Sequence, residues 1–131
     1  MTQKPLDLWI LRAILIVAFA YHGAWNLDQA GLNWWTLNQA QLPFPTWMRW
    51  PVGIAEIAFA VWILWGRLIT LPLLGMCALM SGAVLSNFHN GYSYKNLGIE
   101  VPLAYLGIAI VLLIRGGFFD RIVKLLNTKV R

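Results

Sequence analysis

Trp50-Pro51-Val52-Gly53-Ile54-Ala55-Glu56-Ile57-Ala58-Phe59-Ala60-Val61-Trp62-Ile63-Leu64-Trp65 is an apolar run with one ionisable side chain, Glu56. A carboxylate in mid-bilayer costs about 2.5–3.5 kcal/mol, so it needs a polar neighbour or a task. Pro51 suits the first turn of a helix, where its missing N–H would be unbonded anyway. Gly66-Arg67 makes a tight break at the other end. The run therefore reads as a spanning helix over 51–65 with its carboxylate near the start.

Composition agrees. The 131 residues are 60% hydrophobic and 11% charged, with a mean hydropathy of +0.64, whereas a soluble domain carries about 25% charged residues. No polar shell is available to cover so much apolar surface, and the chain belongs in lipid as one domain. The formal charge of +5 comes from basic residues at the ends of apolar runs, which act as topology signals; no basic patch with interleaved aromatics suggests nucleic acid. The single Cys77 permits no intrachain disulfide. Lys4 and Asp7 precede a run without a small-residue cleavage site before Trp25, so the first span is expected to stay.

Residues 8–27 supply enough apolar length to cross a hydrocarbon core roughly 30 Å thick. Residues 28–50 form a connection with Trp34, Trp35, Trp47 and Trp50, punctuated by Pro43 and Pro45. Indole rings favour the headgroup level, so this connection is expected along the interface, with a short helix near residues 32–40. A third span over 68–85 carries Gly75, Ala78, Gly82 and Ser86 on one stripe, the kind of surface that lets membrane helices approach closely. The polar stretch Ser86–Asn96 follows, then a fourth span over 97–114 containing Glu100 and Pro102, then a basic amphipathic tail over 115–131. The expected fold class is all-α: an integral membrane four-helix bundle, a single domain over 1–131, with a Trp-rich interfacial connection between helices 1 and 2.

Four spans put both termini and the Arg67 turn on one side. That side holds Lys4, Arg12, Arg67, Arg115, Arg121, Lys124, Lys129 and Arg131 against Arg49 and Lys95 on the other, so the termini are expected to be cytoplasmic. Glu56, Glu100, His22, Asn26 and the loop from His89 to Lys95 then converge on the outer layer. At about 100° per residue, Gly53, Ala60 and Ile63 share the face of Glu56; Ala104, Gly107 and Val111 share that of Glu100; Ala18 and Asn26 share that of His22. Small residues mark protein-facing sides, so both carboxylates are expected to point inward, into a polar outer pocket roofed by the Trp-rich connection. The plainer alternatives are a helix N-terminus favouring negative charge for Glu56, snorkelling for Glu100, a hydrogen bond to a neighbouring helix for His22 and ordinary surface for His89.

An ordered set of short motifs spans nearly the whole chain: Arg12 and His22-Gly23 in the first helix, Gly53-x-x-Glu56 and Gly66-Arg67 in the second, Lys95-Asn96-Leu97 opening the fourth, and Gly116-Gly117 followed by Asp120. This set resembles the DoxX family of small four-helix membrane proteins. The chain departs from the pattern in having Trp25-Asn26 where many relatives place a Lys, and in a degraded glycine exit. The resemblance implies a bacterial plasma-membrane protein linked to quinone oxidoreduction. In that reading Glu56, Glu100 and His22 exchange protons with a quinone, and Trp25, Asn26, His89, Lys95 and Asn96 surround it. The electron-transfer centre would come from a partner redox subunit, a water-soluble protein docking on one face; assembly as a homo-oligomer is the other expected association.

A non-catalytic membrane anchor or assembly subunit is the main rival, with the polar layer as an inter-helix hydrogen-bond network; a solute conduit lacks a path to the cytoplasm. No metal site is expected, because no Glu-x-x-His repeat occurs. No nucleophile triad, Walker loop or dinucleotide glycine pattern is present. Arg12 and Asp120 fall on the same side and are expected to pair structurally.

Overall fold

The computed structural model describes residues 6–38, 45–89 and 100–129. Among them run α1 (Leu6–Leu27), α2 (Gln29–Asn38), a 3-10 turn (Thr46–Met48), α3 (Arg49–Trp65), α4 (Thr70–His89), α5 (Glu100–Arg115) and α6 (Phe118–Lys129). The helix inside the first connection begins three residues before its expected start; residues 39–44 of that connection lie outside the described set.

Local chemistry sets the ends of α3. Pro45 is extended and the 3-10 turn runs directly into the helix, so α3 starts two residues before Pro51. At the other end Gly66 takes φ 81° and its N–H bonds the carbonyls of Trp62 and Ile63, a left-handed cap that satisfies carbonyls left over by the last turn. The indole of Trp62 donates to the carbonyl of Arg67 at 2.9 Å, and Leu68 follows in the left-handed region at φ 48°.

One apolar core draws Leu15, Ala18 and Phe19 from α1, Ala60 and Ile63 from α3, Leu73, Met76 and Met80 from α4, and Ala109, Leu112 and Leu113 from α5. The contacts close a ring: α1 on α3, α3 on α4, α4 on α5, α5 on α1. The side chains turned away from this core are also apolar. Val17, Val61, Leu64 and Leu85 are each at least 60% exposed, an arrangement that water would penalise and lipid tails do not. The segments Leu8–Leu27 and Thr46–Trp65 are long and apolar enough to cross a membrane; Thr70–Leu85 is apolar but shorter, and α5 with α6 qualifies only as a pair bent by 57°.

Helical phase is as expected on α3, where Gly53, Glu56, Ala60 and Ile63 are buried together. It differs on α4 and α5. The core side of α4 is Pro72, Leu73, Met76 and Met80, while Ala78 is exposed and a Cβ at Gly82 would meet nothing within 4 Å. Of the small-residue stripe, Gly75 alone among the glycines is tightly covered, by the ring of Phe59. On α5 the buried side is Pro102, Ala109, Leu112 and Leu113, and the stripe Ala104, Gly107 and Val111 is exposed. Large Leu and Met side chains fill these seams, and small residues mark a contact only where a second backbone comes close.

That condition is met between α1 and α3. A Cβ at Gly23 would lie 2.7 Å from the carbonyl oxygen of Gly53, and one at Gly53 3.0 Å from that of Gly23. Only hydrogen fits at either position.

A buried polar cluster and an apolar groove at the ends of α1 and α3

The glycine crossing brings the last turn of α1 onto the first turns of α3. Asn26, one residue before the end of α1, is buried and donates its side-chain amide to Oε2 of Glu56 at 2.9 Å. Its backbone carbonyl accepts from Nη1 of Arg49 at 2.7 Å. Arg49 is itself buried, and its guanidinium stacks over the ring of Trp50 at 4.5 Å. A cation at the carboxyl end of a helix satisfies orphan carbonyls and complements the dipole. Glu56 on the Asn26 amide and Arg49 on the Asn26 carbonyl together fasten α1 to α3.

Sequence reasoning did not single out Arg49, which counted only as one of two basic residues on the minority side. A signal was present. A basic residue at the foot of a span, on the side where positive charge is disfavoured, needs a reason to be there.

His22 turns to a different seam. The half-buried imidazole sits edge-on between Tyr21 and Tyr105, with ring centres 5.8 and 6.0 Å away. Phe19 extends the aromatic contact to Tyr105 at 6.3 Å. Beside them a groove of about 580 Å³ runs along α1, lined by Ile10, Ile14, Val17, Tyr21, His22 and Tyr105. From Ile10 to His22 is about 18 Å of helix. The groove is apolar for most of that length, with its imidazole and phenols gathered at one end.

Asn26 and Glu56 are thus in direct contact, whereas His22 lies one turn away toward α5. An open groove among the described residues lies next to His22. Trp25 is half-buried in the last turn of α1. Glu100 opens α5 and His89 closes α4, but their side chains, like Lys95 and Asn96 altogether, lie outside the described residues. Among the described residues no three His, Cys, Asp or Glu side chains gather. Arg12 does not reach Asp120; its guanidinium lies over Trp9 at 5.3 Å with Nε buried and unbonded, and Asp120 is exposed.

Fold and site together define an all-α integral membrane protein whose first and third helices are joined by a buried polar cluster. Residues 10–113 match the DoxX-like family, well over half of the chain, and the protein belongs to that family. No curated protein and no solved structure matches it.

Proposed function

We propose that this DoxX-like protein is a quinone-associated membrane subunit, with an isoprenoid quinone held in the α1/α5 groove. The observation that carries the reading is the polarity of that groove: apolar along Ile10, Ile14 and Val17, and ended by His22 between two phenol rings. A prenyl tail matches the first part and a small polar ring the second. Quinone reduction to quinol consumes two electrons and two protons. The two electrons come from a water-soluble redox partner, since this chain carries no redox centre in its motifs. The imidazole of His22, at the polar end of the groove, exchanges the protons with the ring, and the carboxyl groups of Glu56 and Glu100 are proposed to relay protons to it. Trp25, Asn26, His89, Lys95 and Asn96 are proposed as further quinone-binding residues.

The reading takes α1, α3, α4 and α5 as a four-helix bundle crossing a bacterial plasma membrane as one domain, both termini cytoplasmic. The closed ring of helix contacts and the excess of basic residues at the termini and the Arg67 turn support it. The Trp-rich connection then lies over the outer end, where Trp47 and Trp50 are about half exposed or more.

A second reading rests on a separate observation. The Asn26–Glu56 and Arg49–Asn26 bonds both join α1 to α3, as in an anchor whose polar groups only join helices. Solvent extraction of protein purified from native membranes distinguishes the two. Near-stoichiometric quinone in the wild type, lost in His22→Phe and in the groove-filling Val17→Trp, supports the first reading. Wild type that carries no quinone, or variants that retain it, leaves the anchor.

A further inference from the structure

We infer that α6 is a surface helix that lies in the headgroup layer and binds anionic lipid. Its polar arc holds Asp120, Arg121, Lys124, Asn127 and Thr128, and Ile122, Val123, Leu125 and Leu126 occupy the other side. Those four apolar side chains are 37–66% exposed. Within the fold α6 packs mainly on α5, with Phe118 reaching the edge of the core. Most of its apolar face therefore has no protein against it.

The bend decides what covers that face. Gly117, at φ 75°, turns the chain so that α6 leaves α5 at 57°, and the guanidinium of Arg121 returns to the carbonyl of Gly116 at 3.2 Å. A helix turned this way off the end of a membrane-embedded one runs along the bilayer surface, apolar side down. The neighbourhood is basic. Tyr105 against His22 sets the start of α5 beside the end of α1, and Gly53 against Gly23 sets the start of α3 there too, which leaves Arg115 and the Arg67 turn at the opposite end, the one that carries α6. Arg121, Lys124 and Lys129 against Asp120 add a net positive charge on α6 itself. That charge complements lipid phosphates that bear a net negative charge. The inference is independent of what occupies the α1/α5 groove.

The test uses the full chain with Cys77→Ser in nanodiscs of phosphatidylcholine, with and without a quarter of phosphatidylglycerol in both leaflets. Spin labels at Leu126→Cys and Asn127→Cys report contact with oxygen, which partitions into lipid, and with a water-soluble nickel complex. The label at 126 is expected to favour oxygen and that at 127 nickel. Labelled phosphatidylglycerol is expected to be preferred over labelled phosphatidylcholine at the protein boundary, with the preference falling at least about fivefold in Arg121→Gln/Lys124→Gln. Nickel access at both positions, shielding of 126 from both reagents as by a protein partner, or an unchanged lipid preference would overturn the inference.

Discussion

The amide nitrogen of Asn26 stands 2.9 Å from a carboxyl oxygen of Glu56, joining side chains thirty residues apart in the chain. Both residues are at most 8% exposed, so neither can turn to water if the other is lost. Hydrogen bonds between membrane helices contribute on average about 0.6 and at most about 1.7 kcal/mol in double-mutant cycles. A cycle of Asn26→Ala and Glu56→Ala, read by thermal unfolding in detergent, should give a coupling in the upper half of that range. Coupling near zero would mean that the two groups find other partners.

Glu56→Gln separates charge from hydrogen bonding. The glutamine carbonyl still accepts from Asn26, so the unfolding free energy should change by less than about 1 kcal/mol, while Asn26→Ala should lose about 1–3 kcal/mol by leaving a buried acceptor unpaired. A destabilisation by Glu56→Gln as large as that by Asn26→Ala would contradict the geometry.

Arg49 is expected to matter more than a boundary arginine usually does. Its bond to the Asn26 carbonyl is buried, and its guanidinium also stacks over the half-exposed Trp50 ring. Removing a charged donor from a buried acceptor costs about 1.5–3 kcal/mol, and Arg49→Ala should fall there. Arg49→Lys should lie between, since an ammonium keeps the charge without the planar stack. Chemical denaturation of the purified variants orders the three.

The glycines should divide sharply. Gly23→Ala and Gly53→Ala each force a methyl against the opposing backbone, a conflict worth about 1–3 kcal/mol. Gly82→Ala meets nothing within 4 Å and should be neutral or stabilising by about 0.5–1 kcal/mol, as expected for a helix interior. Equal effects at Gly23 and Gly82 would rule out the close crossing.

Leu68 offers a gain. It is held at φ 48°, where a Cβ is disfavoured by about 1–2 kcal/mol. Leu68→Gly should relieve part of this and raise the unfolding midpoint, whereas Leu68→Val should lower it.

Much of this was legible in the order of residues, for local reasons. Gly66 closes α3 and Pro51 lies in its first turn, because each suits one end of a helix and not its middle. The face shared by Gly53, Glu56, Ala60 and Ile63 followed from the turn angle alone. The same reasoning chose the wrong sides of α4 and α5. There Ala78, Ala104 and Gly107 look outward, because a helix surrounded by lipid gains no hydrophobic advantage from burying one apolar side over another. Which side faces inward is then settled by the shape of the neighbouring helices.

By itself the sequence determined that this chain lives in a membrane and that a carboxyl group two turns into α3 would need a partner, while α4 runs on to His89, past the expected end at 85. Composition, cap chemistry and the expense of burying polar groups act within a few residues or over the whole chain at once, so they can be read without coordinates. Only the tertiary structure decided that Asn26 would be that partner, that Arg49 would close the end of α1, and that His22 would turn away toward Tyr105 and an apolar groove. Those outcomes depend on a backbone crossing at Gly23 and Gly53 that leaves room for hydrogen and nothing larger.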